Sequence, residues 1–176
     1  AGGNEALAVN QLRRTLRGIA NIKDSIQCIT IITESGDIIF YDKPTASSIK
    51  NSWLDTMNLT PEELYDKISN ENSTQYITTR YASSFSAKPY YLFHLAHRIV
   101  DYNSIHRQLG VIIISIDERL LHDVCNQNSV DGDDTLPGNV NFIVDDEGRL
   151  VTFPVQRSIE NTVLPIPESE NGWRES

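Results

Sequence analysis

Only two cysteines occur in the 176-residue chain, Cys28 and Cys125. They permit one disulfide without requiring it. The flanking residues read as a strand around the first and a helix around the second, so two thiols suffice and cysteine leaves the compartment open. Cations are also scarce: 15 Lys and Arg face 24 Asp and Glu, a net charge of −9. Nucleic acids and anionic membranes reward clustered Lys and Arg, so neither is expected as a partner. The one dense basic stretch, Arg13-Arg14 with Arg17, scatters around the polar face of a helix. Apolar runs are short; the longest, Val111 to Ile116, is far below the ~18 residues of a membrane-spanning helix. No signal peptide or initiator Met is found. The Ala-Gly-Gly opening reads as a processed piece, so the missing span says little about a parent protein.

Reactive constellations are sparse too. His94 and His97 are three apart on a strand and face opposite sides, so they do not chelate together. His106 lies near a turn and His122 on a helix, and no Cys, His or carboxylate spacing suggests zinc. The acidic "DGDD" at 131–134 has no bidentate Glu at calcium-loop spacing and reads as a solvated linker. There is no phosphate-loop pattern and no serine in a nucleophile elbow. Neither a catalytic residue, a metal nor a cofactor is expected, and the chain is not read as an enzyme.

What is present is a globular composition, 39% hydrophobic and 22% charged, rich enough to build a core. Val9, Leu12, Leu16, Ile19, Ile22 and Ile26 mark one face of an amphipathic helix over roughly 5 to 25. Such a helix either lies on a sheet or also pairs with a second subunit, since its stripe is nearly a heptad broken at Lys23. "CITIITESGDIIFYDKP" follows, a hairpin with strands near 26–33 and 37–42 that turns at Gly36 and stops at Pro44. A short helix carrying Trp53 comes next, then a helix with Thr60 as N-cap, Pro61 first and Glu63 third. Three strands follow without a helix between them, at 75–84, 88–102 and 108–117, and Asp117 leads into "ERLLHDVCNQ". Strands on both sides of a helical insertion imply an antiparallel sheet with helices packed against it, an α+β fold. The polar stretch 128–138 is the one break in composition. Beyond it "NVNFIVDDEGRLVTFPV" repeats the opening hairpin.

The long opening helix, "ITIITESGDIIFYD", the lone Trp53 and "HRIVDYNSIHRQLGVIIISIDERLLHDVC" together resemble the PAS-like fold of extracellular Cache sensor domains. The likeness is to the membrane-distal lobe of a double Cache domain on a bacterial sensor histidine kinase, and covers about residues 5 to 127. It implies a five-stranded PAS-like lobe at 1–127, an acidic linker at 128–138, and at 139–176 the truncated start of a membrane-proximal lobe. It also implies a function: binding a small extracellular molecule for a plasma-membrane transducer, with a chemoreceptor or a dimerisation and spacer module as alternatives. A homodimer through the N-terminal helix is a further possible partner.

Cache lobes that bind amino acids use an Arg, then Trp and Tyr after the second strand, Tyr and Asp on the third, and an Asp ending the fifth. Trp53, Tyr76 and Asp117 match three of these positions, whereas Asn51, Leu54 and Thr78 replace the Arg, the Tyr and the third-strand Asp. A zwitterionic amino acid is therefore not the expected ligand. Arg80 alternates with Tyr76 and Thr78 and is a candidate replacement cation, or else a solvated edge residue. Trp53 fits core as well as pocket, and Asp117 fits a helix N-cap as well as a ligand contact. Tyr91, Phe93 and His97 share a strand face and read as packing.

Overall fold

The computed structural model describes residues 2–43, 59–82, 90–127, 141–145 and 148–152, with 2–3, 78–82, 90, 105–106 and 126–127 as backbone only. The segment bearing Trp53, the acidic linker and the C-terminal tail lie outside the described residues. By its internal contacts the chain divides into Ala1–Glu118 and Arg119–Ser176. The helix after Asp117 falls in the second unit.

The first unit is α+β. Helix α1, Gly2–Ala20, is followed by strands β1, Ile26–Thr33, and β2, Ile38–Asp42. Helix α2 spans Pro61–Ser69, and strands β3, Gln75–Ala82, β4, Tyr90–Asp101, and β5, Ser104–Asp117, complete the unit. The five strands form one sheet in the order β2-β1-β5-β4-β3. Every neighbouring pair is antiparallel. The first and last strands are therefore partners at the centre of the sheet. Ile26 opposes Ile116, and the Asp117 N–H donates to the Ser25 carbonyl at 2.8 Å.

Alternation along the strands gives the sheet two apolar faces. On one, Leu16 and Ala20 of α1 pack on Ile29 and Ile39, with Val9, Leu12 and Ile112 half-buried around them. On the other, Leu64 and Ile68 of α2 close over Cys28, Ile32, Ile77, Leu92, Ala96, Val111 and Ile113. The expected stripe on α1 holds through Leu16 and fails from Ile19, which is 40% exposed, while the neighbouring Ala20 is buried in its place. Ile22 is 72% exposed, and Ile26 belongs to β1. The chain must leave the helix in time to join the sheet. Lys43, at the end of the neighbouring strand, marks that exit, its Nζ lying 3.5 Å from the Ala20 carbonyl and 3.4 Å from the Lys23 carbonyl. A cation there complements the negative end of the helix dipole.

Helix α2 starts where its capping signals place it. Thr60 Oγ1 accepts from the Glu63 N–H at 3.2 Å, and Glu63 Oε2 accepts from the Thr60 N–H at 2.7 Å. Strand β5 begins four residues before the expected 108, because β4 and β5 pair down to a tight turn at Asp101–Ser104. Inside β5, Gly110 sits where an added Cβ would fall 2.5 Å from the Ile32 carbonyl oxygen, so only glycine lets β1 approach.

In the second unit, helix α3 spans Arg119–Gln127, and strands β6, Ile143–Val144, and β7, Leu150–Thr152, form a two-stranded sheet. Asn141 Nδ2 donates to the Cys125 carbonyl at 3.3 Å, and Leu150, Val151 and Thr152 are buried. Asp145 accepts from the Arg149 side chain at 2.7 Å and from its backbone N–H at 2.8 Å. Cys28 and Cys125 are both thiols.

Candidate functional site

The α2 face of the sheet is not uniformly apolar. Across its width the register sets Asp42 opposite Cys28, Cys28 opposite Ser115, and Ser115 opposite His94. These four residues, from four adjacent strands, form one polar rung. Each is 1% exposed or less. Thr30 lies two residues along β1 on the same face, its Oγ1 3.7 Å from Cys28 Sγ. Asp117, 4% exposed, lies two residues beyond Ser115 on the same face of β5. His94 Nδ1 and Ser115 Oγ are 2.9 Å apart, which fixes the imidazole against β5, and its Nε2 is buried as well. Glu118 is also fully buried, its N–H donating to the Tyr91 carbonyl at 2.9 Å.

Burying this many polar groups without partners would be strongly destabilising. Cys28, Thr30, Asp42, His94, Asp117 and Glu118 all engage neighbours. The arrangement supplies two carboxylates, an imidazole, two hydroxyls and a thiol within an otherwise aliphatic face. Among the described residues no group of three or more His, Cys, Asp or Glu is placed to hold a metal ion.

The sequence-derived candidates do not converge. Asp117 shares the α2 face with the polar rung, but Tyr76 opposes Leu95 on the opposite face and stacks on Phe93, with ring centroids 6.3 Å apart. Tyr76 and Asp117 are therefore on different sides of the sheet. Arg80 pairs with Leu92 rather than Tyr91, because a bulge between Ile77 and Arg80 shifts the register of β3 by one residue. The simple alternation that tied Arg80 to Tyr76 stops at this bulge. Trp53 lies outside the described residues. Asp117 is one residue too early to cap α3, since Arg119 is the first helical residue. His94 and His97 do face opposite sides: His94 is buried on the α2 face, and His97 is exposed.

Sequence reasoning passed over His94, Ser115, Cys28, Thr30 and Asp42 as a set. The available signal was a polar residue at an inward position of an aliphatic strand, as in "ITIIT", "IIISID" and "YLFHLA". Each is unremarkable alone, and only the cross-strand register assembles them.

Compared with protein-family models and with curated proteins, the chain matches none.

Proposed function

We propose that the first unit is a PAS-like lobe of the Cache type, the extracellular or periplasmic sensor of a plasma-membrane signal transducer, with a two-component histidine kinase as parent. The observation that carries this reading is the antiparallel five-stranded sheet with first and last strands paired at its centre. A long N-terminal helix covers one face, and buried polar groups stud the other. A small molecule meets Asp117 and the His94–Ser115 rung on the α2 face. Ligand affinity that differs between two arrangements of the lobe then biases the elements entering and leaving it. On the same reading, β6 and β7 begin a second PAS-like lobe, because their turn repeats the first hairpin's.

A thermal-shift screen of small metabolites tests the proposal. At least one compound raises the melting temperature of the wild-type chain, as binding to the native state alone requires. His94→Asn keeps a ring-nitrogen-like donor and preserves the response in part, whereas His94→Leu abolishes it. If no compound shifts melting, the lobe is not a sensor.

A second reading, a dimerisation or spacer module, draws on Leu7 and Ile19, which are 59% and 40% exposed on α1, and on Ile22 just beyond it. Sedimentation velocity separates the two: ligand-independent dimers that dissociate in Leu7→Asp/Ile19→Asp favour the spacer, and a monomer that binds a metabolite excludes it. A chemoreceptor parent would present the same lobe to the same ligand test.

A further inference from the structure

The flank of α1 beside Tyr41 of β2 carries a second feature, independent of the sensory reading. Asn10, Arg14 and Arg17, at helical spacings of four and three, and Arg13 beside them line, with Tyr41 of β2, a groove of about 530 Å³. The groove thus gathers the one dense basic stretch of an acidic chain. Among the described residues, none of the three arginines has an ion-pair partner. Arg13 is half-buried, and its Nε is fully enclosed with no hydrogen-bond acceptor among the described residues. An adjoining cavity of about 470 Å³ shares Asn10 and Arg13 and brings in Glu5, which pairs with none of them.

Three guanidinium groups within about one helical turn repel one another, and a buried N–H without an acceptor is unfavourable. An oxyanion in the groove relieves the repulsion, and rotation of the Arg13 side chain brings its Nε–H to the same ligand. Guanidinium forks match carboxylate and phosphate oxygens in bidentate fashion, and the Tyr41 hydroxyl and Asn10 amide add neutral donors. The volume falls within the roughly 300–1,000 Å³ of small-molecule sites. We propose that this groove binds a small multivalent oxyanion, a molecule bearing two or more phosphate or carboxylate groups. The α1 face distant from the polar rung is then a second ligand site of the same unit.

Calorimetric titration of the full chain with inorganic pyrophosphate, and separately with citrate, is the test. One-to-one saturable binding of either is expected, and which of the two binds assigns phosphate or carboxylate. Arg14→Gln and Arg17→Gln, both at exposed positions, each weaken binding about tenfold. Arg13→Lys keeps the charge but loses the Nε donor and weakens it as well. Arg149→Gln, in the other unit, leaves it unchanged. Binding persists at about 150 mM salt, where loosely screened surface attraction fades. The proposal is overturned if neither anion binds, if binding vanishes at that salt, or if the groove variants bind like wild type. Co-sedimentation with phosphatidylglycerol vesicles in the absence of any binding of the free anions would equally overturn it, making the groove a lipid contact instead. Because these variants leave His94 and Asp117 untouched, the metabolite screen reads the other site separately.

Discussion

The two hairpins of this chain share a turn and differ in almost everything else. In the first, the Thr33 N–H donates to the Asp37 carbonyl at 3.0 Å and the Gly36 N–H to the Thr33 carbonyl at 2.9 Å. In the second, Asp145 donates to Arg149 at 2.9 Å and Gly148 to Asp145 at 3.0 Å. Both glycines adopt positive φ, 85° and 77°. Even the side-chain brace is repeated: Thr33 Oγ1 accepts from the Asp37 N–H at 3.0 Å, and Asp145 Oδ1 from the Arg149 N–H at 2.8 Å. Beyond the turn, β1 and β2 pair from Ile32↔Ile38 to Cys28↔Asp42, whereas among the described residues β6 and β7 pair at Val144↔Leu150 and Ile143↔Thr152. Local chemistry sets the turn, while neighbouring strands set how far pairing extends. β1 has β5 along its other edge, and a two-stranded ribbon without such support is marginal.

The largest test of that contrast is at Gly110, where β5 meets β1. Gly110→Ala forces a Cβ onto the Ile32 carbonyl and is expected to lower the stability of the first unit by about 2–4 kcal/mol in urea denaturation. The second hairpin's amide protection should not change. An unaltered urea midpoint would mean that β5 does not support the first hairpin.

A middle-sized effect compares the two braces. The Asp145 side chain is 3% exposed and holds both the Arg149 backbone and its side chain, so Asp145→Ala should promote opening of the second turn by about 1–3 kcal/mol. Thr33→Ala should cost the first turn only about 0.5–1 kcal/mol, since the sheet still holds its strands. Hydrogen exchange at Arg149 and Asp37 reads both. The reverse ranking would show that the second hairpin draws its order from elsewhere than its turn.

The smallest effect sharpens the setting of the first turn. Burial, then the charge of Glu34 in that turn, then Asp66 raise the Tyr65 phenol above 10.0. The folded state favours the neutral phenol, so this contribution to stability is intact below pH 10 and declines as pH rises through the higher folded value. Glu34→Gln should move Tyr65 part of the way back, seen as earlier tyrosinate absorbance assigned by difference from Tyr65→Phe. No movement would place Glu34 too far from α2 to matter.

Local signals were legible in the sequence to the extent that they were complete within a few residues. Thr60, Pro61 and Glu63 specify the start of α2, and Gly36 specifies the first turn. Unbroken aliphatic alternation gave the strands and hence the antiparallel sheet. The end of α1 was not legible, because Ile22 and Ile26 continue the helical spacing while the sheet claims the chain. The bulge in β3 was also hidden, since "QYITTRYA" alternates smoothly, and so Arg80 was placed one register out. The polar rung depends on four strands meeting in one register, a relation between residues as distant as Cys28 and Ser115.

The pairing of β1 with β5 also decides how this unit bears load. The residue before β1, Ser25, and the last residue of β5, Asp117, are joined by a backbone hydrogen bond at the same end of the sheet. A pull applied between those two points acts across the strands, so the ladder opens like a zipper, one bond at a time from Asp117–Ser25 inward. Such a geometry yields at low force. Tension between these two points is therefore expected to part the central seam first, drawing Cys28 away from Ser115 while Ser115 keeps His94 across β4.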